Sequence, residues 1–292
     1  MLSIIKILIE VFRIPLLAIY LTLLVIHFII KDRFDYISIV YYASPLILII
    51  LFGLFVTLLF IRKKIYFYVL IGILIATGIY FFNSHFGSEF EKTSSKSTTK
   101  ILFWNIAESQ PLPTDILIRH MRESSPEVVA LVEAKNVSEN DLNILMKACP
   151  DYKFKTLKGD MLIGTKDDIV AMSYKTDVDV YRYNYLKLQG KAKTISFMIA
   201  DVYAYPFHNK EEALNVIYDV AKKYEVEILV GDFNTPYESI FFNDFKTDYN
   251  SFHPYSIGLS YTWPVPLPVI EIDQVWIGKS FQPVKLTKYS YS

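Results

Sequence analysis

Asp232 and Asn234 stand two residues apart in the stretch E-I-L-V-G-D-F-N-T-P, Glu227 to Pro236. A carboxylate can hold a hard cation or orient a water, and a carboxamide can donate to a phosphoryl oxygen. The pair therefore suits metal-assisted chemistry on a phosphate. It also suits a plain Asx-type turn closed by Pro236. The apolar positions before it (Val226, Ile228, Leu229, Val230) read as a strand buried on both faces and ending at Gly231.

Other apolar runs carry polar side chains at their ends. I-L-F-W-N ends in Asn105, and E-V-V-A-L-V-E, Glu127 to Glu133, ends in Glu133. Y-T-W-P, Tyr261 to Pro264, and E-I-D-Q-V-W-I, Glu271 to Ile277, come last, the second supplying Asp273. In this order and roughly at these separations the five segments resemble the endonuclease/exonuclease/phosphatase superfamily, from about Lys100 to the C-terminus.

The resemblance implies an α/β fold, a four-layer sandwich of two packed mixed β-sheets flanked by helices. It implies hydrolysis of phosphoester bonds with Mg2+ (or Mn2+). Glu133 then matches the metal-binding glutamate, and Asn105 the asparagine that helps position metal and phosphate. Asp232 is placed near the attacking water, Asn234 on the phosphoryl oxygens, and Asp273 as the carboxylate that orients a catalytic histidine. The family's Ser-Asp-His segment should follow Asp273 by some tens of residues, but the sequence stops at Lys288-Tyr289-Ser290-Tyr291-Ser292, with no histidine after Asp273. Such an ending reads as a truncated frame or fragment that leaves a sheet edge unpaired. His208 and His253 match no motif of the family, and Tyr203 and Tyr205 occupy the neighbourhood of its mid-chain histidine.

These residues need elements to hold them. Thr114 is placed to cap a helix carrying Ile116, Leu117, His120 and Met121, and Ser138 to start another with Leu142, Leu145 and Met146 on one side. Short strand-like runs follow at Met161 to Gly164, Ile169 to Tyr174 and Val178 to Tyr183, then a longer one at Thr194 to Tyr205. Asn209 with Glu212 spells a capping box for a helix whose buried stripe is Ala213, Val216, Ile217 and Val220. Cys149, the single cysteine, permits no internal disulfide and reads as a small buried side chain.

The 292 residues leave room for a second unit before this domain. Residues 1–82 hold seven basic and three acidic side chains, a charge of +4, and residues 83–292 balance it at −4. A mildly acidic domain argues against a tight, non-specific grip on nucleic acid. Val11 to Ile30, Leu46 to Ile61 and Ile65 to Phe82 are nearly free of charge, and about 20 helical residues cross a bilayer core of about 30 Å. Three membrane spans are expected, two if the short middle run does not cross. Tyr41 to Pro45 offer that run an extension, and His27 reads as a packed or interfacial residue. Recurring apolar segments disfavour a cleaved signal peptide. The basic triplet Arg62-Lys63-Lys64 is expected on the cytoplasmic side, which places the C-terminal domain outside. Residues 83–99, polar and rich in Ser and Thr, read as a flexible tether, and the phosphoester-type domain occupies 100–292.

The leading expectation is a multi-pass membrane protein carrying a metal-dependent phosphodiesterase or nuclease domain, with the lipid bilayer and a phosphoester substrate as partners. The alternatives are a non-catalytic relative that binds phosphate or metal, and a phosphatase acting on lipid or sugar phosphates.

Overall fold

In the computed structural model, residues 2–86, 98–108, 111–191, 193–255 and 259–289 are described. Residues 87–97 of the expected tether and the last three residues lie outside them.

Four helices precede the tether: α1 (Leu2–Val25), which runs into a π-turn Ile26–Ile30, α2 (Asp35–Ala43), α3 (Leu46–Leu59) and α4 (Lys64–His85). Glu10–Ile30 and Lys64–His85 are each long and apolar enough to cross a membrane. The expected extension of the middle run by Tyr41 to Pro45 does not form a straight helix, because α2 and α3 meet at 72°. Pro45 explains the bend, since a proline pushes the preceding residue out of the helical region, and Ser44 sits at φ −121°, ψ 65°. Tyr20, Ile49, Val56, Phe60 and Leu70 form the shared core of α1, α3 and α4. Gly53 lets the α1 ring approach, because a Cβ there would lie 2.5 Å from Tyr20 Cε2. Val11, Leu51, Leu54, Ile65 and Ile79 face outward, an apolar exterior suited to lipid.

The head follows as β1 (Ile101–Asn105), α5 (Thr114–Ser124), β2 (Val128–Val132), α6 (Glu139–Ala148), β3 (Lys153–Leu157), β4 (Met161–Thr165), β5 (Asp168–Asp177), β6 (Tyr181–Gln189), β7 (Thr194–Val202), α7 (Glu211–Lys223), β8 (Ile228–Asp232), α8 (Asn243–Asp248), β9 (Tyr249–Ser251) and β10 (Asp273–Gly278). Two mixed sheets result, one in the order β1-β2-β4-β3 and one in the order β5-β6-β7-β8-β10-β9. Val128, Ala130, Val132 and Ile163 of the first pack against Phe197, Ile199, Ile228, Val230 and Ile277 of the second. The opposite face of the small sheet buries Leu117, Met121, Leu145 and Cys149 of the α5–α6 layer, and that of the large sheet buries Leu214, Ile217 and Ala221 of α7. These are the four layers of the expected sandwich.

Local signals are met unevenly. Ser138 and Asp141 form a reciprocal capping box on α6. Thr114 is the first residue of α5 and makes no cap, which falls to Pro113. Asn209 Oδ1 accepts from Glu211 N at 3.2 Å, but Lys210 is the N-cap of α7 and no reciprocal box forms. The run Val178 to Tyr183 straddles a turn instead of forming a strand, because Asp179 adopts φ 63° and Val180 N returns to Asp177 O. Gly231 is required by close approach, since a Cβ there would lie 2.2 Å from the Ala200 carbonyl oxygen of the neighbouring strand.

The loop between α1 and α2 is docked on the head. Lys31 Nζ donates to Glu238 O at 2.9 Å, and Asn209 N donates to Asp35 Oδ1 at 2.9 Å. Buried Asp32 accepts from Ser239 Oγ, from Tyr42 OH at 3.2 Å and from Ile240 N at 3.2 Å.

Candidate active site

Side chains alternate across a strand, so every second residue shares a face. Phe197 and Ile199 of β7 point into the layer between the sheets, and Asp201 is next on that face. The same count leads from Ile228 and Val230 to Asp232 on β8, and from Ile277 and Val275 to Asp273 on β10. Registration lines them up: Arg182 pairs with Asp201, Asp201 with Asp232, and Asp232 with Asp273. Four charged residues therefore cross the large sheet in one row, at the rim of the inter-sheet core.

The small sheet reaches the same rim. Asn105 follows Phe103 on β1, and its Nδ2 donates to Asp232 Oδ2 at 2.8 Å, while its Oδ1 accepts from Ala107 N at 2.8 Å. Glu133 lies one residue beyond Val132, so alternation alone would turn it away from the core. A left-handed backbone at φ 53° re-aims it, a conformation uncommon outside glycine and concentrated at functional sites. Ala134 N donates to Asp160 O at 2.7 Å and Glu108 N to Glu133 O at 3.2 Å, which hold that turn. The charge of Glu133 acts on Asp201, Asp232 and Asp273.

Asn234, also left-handed at φ 45°, closes on Asp232. Its backbone N donates to Asp232 Oδ1 at 2.9 Å, and its Nδ2 donates to Asp232 Oδ2 at 3.0 Å and to Val202 O at 2.9 Å. Both Nδ2 hydrogens are thus engaged within the protein. The Asx-type turn expected from the sequence is formed by the Asp232–Asn234 pair itself. Thr262 of Y-T-W-P fixes the start of β10 by accepting from Ile272 N at 3.1 Å and Asp273 N at 3.2 Å.

The electrostatics are those of crowded, buried acid. Burial, then Asp273 and Asp201, push the Asp232 carboxyl up against the pull of the Asn234 N–H. Burial likewise raises Asp273 to about 7, helped by Glu133 and Asp201 and opposed by Thr262. Asp201 rises to about 6 through burial, although Arg182 draws it down. Arg182 Nε donates to Asp201 Oδ2 at 2.7 Å and its NH1 to Asp160 Oδ2 at 2.9 Å. Lys210, lowered to about 8 by burial, donates to the carbonyls of Tyr203 (2.6 Å) and Tyr205 (2.7 Å). Asp273 Oδ1 is buried with no partner. An oxygen-rich cluster with surplus negative charge and an unused carboxylate oxygen fits a hard divalent cation.

All five residues singled out in the sequence, Asn105, Glu133, Asp232, Asn234 and Asp273, meet at this rim. Asp201, Arg182, Asp160 and Lys210 were not singled out. The half-exposed Tyr203 and Tyr205 contribute carbonyls to Lys210. His208 lies 3.8 Å from Asp35, and His253 is bonded to Glu271, so neither is paired with Asp273.

A model of the Endonuclease/Exonuclease/phosphatase family matches residues 102–289. The chain belongs to that family. Among curated proteins none matches the sequence significantly. Among solved structures, a humanized TDP2 of D. rerio is similar at 13% identity and a TM-score of 0.51, over 63% of this chain and 86% of that one. A family member from Bacteroides vulgatus is 14% identical with a TM-score of 0.49, over 63% and 88%. A mannosyl-6-phosphatase of Bacteroides thetaiotaomicron is 11% identical with a TM-score of 0.47, over 63% and 86%.

Proposed function

We propose that this family member is a membrane-anchored, Mg2+-dependent phosphoester hydrolase of the phosphodiesterase or nuclease type. The observation that carries the proposal is the convergence of Glu133 and Asn105 from one sheet with the Asp201–Asp232–Asp273 row of the other. Glu133 with Asn105 would hold the cation, which supplies Lewis-acid polarisation of the phosphoryl group and neutralises charge that builds on its oxygens.

The chain's own residues do the rest. Asp232, fixed by three donors, orients the attacking water and accepts its proton as the phosphorus–oxygen ester bond breaks, and the departing alkoxide takes a proton from solvent to leave as the alcohol. Asp273, near 7, is matched to proton transfer at neutral pH. Asn105 Nδ2 gives one hydrogen to Asp232 and would offer its second to a phosphoryl oxygen, whereas Asn234 would have to release Asp232 or Val202 O to reach one. Arg182 keeps Asp201 turned along the row.

The anchor comprises residues 1–82, with its last helix running on to His85, and the phosphoester-type domain residues 100–292. If the bent pair α2–α3 counts as one crossing, three spans put the docked α1–α2 loop and the head on one side and Arg62-Lys63-Lys64 on the other. The positive-inside tendency then makes the head extracytoplasmic.

The full chain in detergent micelles with Mg2+ is expected to hydrolyse bis-p-nitrophenyl phosphate in preference to p-nitrophenyl phosphate. Preference for the monoester, or for a phosphorylated lipid in vesicles, would instead support a phosphatase, to which the membrane tether lends weight. Binding without turnover is a second reading, favoured by the absence of a histidine paired with Asp273 among the described residues. Mg2+ uptake with no hydrolysis of any of these substrates would establish it.

A further inference from the structure

A second group of metal-ligating side chains lies where the last membrane helix meets the head. His85 ends α4, Glu238 follows the Asp232 turn, and His253 opens the 3-10 turn His253–Tyr255. One donor atom from each lies within 4.8 Å of the others. The donors are two imidazoles and one carboxylate, a different chemistry from the oxygen-only rim around Asp232.

Each imidazole is held through Nδ1. His85 Nδ1 donates to Phe81 O at 3.0 Å. His253 Nδ1 is bonded to the Glu271 carboxylate, which Ser260 Oγ also contacts, and Tyr237 stacks on the His253 ring at 4.0 Å. Metal-bound histidines need this support, a carbonyl or carboxylate on the far ring nitrogen that fixes tautomer and orientation. The near nitrogens face the cluster. His85 Nε2 is buried 3.1 Å from Glu238 Oε1. Nδ1 is committed to Phe81 O, so Nε2 is the nitrogen left to face Glu238, and a metal ion would take the place of a proton between the two. His253 Nε2 lies 2.9 Å from Ser84 O.

We propose that His85, Glu238 and His253 bind a divalent transition metal of the zinc type, which clamps the end of the last membrane helix to the head. A two-nitrogen, one-oxygen set is a zinc donor set, whereas magnesium favours oxygen throughout. Binding releases the proton that His253 Nε2 shares with the Ser84 carbonyl. The site joins residues on either side of the tether and fixes where the head sits on its anchor.

The test uses the full chain in detergent micelles with excess Mg2+ present to saturate the oxygen-only rim, and measures Zn2+ uptake by equilibrium dialysis and elemental analysis. About one Zn2+ per chain is expected, falling to background in His85→Gln and in His253→Gln. Glu271→Gln, which removes the carboxylate that supports His253, should weaken uptake by about 10–100-fold. Co2+ in place of Zn2+ should give visible d–d bands in the wild-type chain that His85→Gln lacks. His85→Gln decides the matter if the buried His253 variant fails to fold. No Zn2+ uptake by the wild-type chain would overturn the proposal and leave a junction bridged by protons alone. Undiminished uptake in His85→Gln would overturn it equally.

Discussion

Asn105 Nδ2 donates to Asp232 Oδ2 at 2.8 Å, and this hydrogen bond joins the two sheets at the rim of their common core. It supplies one of three donors to a carboxylate that is otherwise surrounded by acid. Asn105→Ala should lower Mg2+-dependent turnover by about 10–100-fold, the usual effect of losing a group that orients a metal or its partner. The fold should lose about 1–3 kcal/mol, the cost of leaving a buried acceptor short of a donor. Steady-state kinetics and thermal melts of the same variant check both numbers, and unchanged turnover would remove Asn105 from the site.

The raised carboxyls fix the sign of a pH dependence. An unfolded Asp titrates near 3.9, whereas folded Asp201 and Asp273 titrate at about 6 and about 7. Between these limits the folded chain binds more protons than the unfolded one, so stability without metal falls as pH rises from about 4 to 7. Mg2+ needs the ionised groups, so it should stabilise strongly at pH 8 and little at pH 5. Melts at both pH values, with and without Mg2+, read this directly, about 2–4 °C per kcal/mol for a domain of this size. A Mg2+ effect independent of pH would contradict the assignment.

Arg182 is the cation at one end of the charged row, held between Asp201 and Asp160. Arg182→Ala removes a charged donor from a buried carboxylate, and a loss of about 1–3 kcal/mol is expected. Asp201 should titrate still higher in that variant, so the loss should be larger at pH 8 than at pH 5. Denaturant titrations at the two pH values check it, and an equal loss at both would show that Arg182 acts by packing alone.

Gly231 sits where β8 runs closest to β7. Gly231→Ala forces a methyl group against the Ala200 carbonyl and should cost about 1–3 kcal/mol through overpacking. The Asp201–Asp232 register depends on the same pair of strands, so turnover should fall along with the melting temperature. A variant as stable and as active as the wild type would show that the two strands can separate without cost.

Much of this site was legible because its residues lie at the ends of apolar runs. Phe103 to Asn105 and Val230 to Asp232 announce themselves by an abrupt change from apolar to polar, and the two sheets follow from the same runs. Asp201 was not legible, because A-D-V-Y reads as simple alternation until registration places it beside Asp232. Arg182 was hidden for the same reason, its partner being fixed by the β6–β7 pairing. The turn at Glu133 has no sequence signal either, since its left-handed backbone is imposed by hydrogen bonds to residues 108 and 160. The bend at Pro45 was written in the chain, and the apolar run around it concealed it. The junction between Ser84 and His253 joins residues 169 apart, a distance that no local pattern spans.

Glu133, with Asn105 and beside the aspartate row, should hold one hard divalent cation, and Mn2+ binding followed by electron paramagnetic resonance tests this most directly. The full chain should bind one Mn2+ that excess Mg2+ displaces, with affinity weakened at least about tenfold in Glu133→Gln. Equal affinity in Glu133→Gln, or no Mn2+ bound at all, would contradict the account.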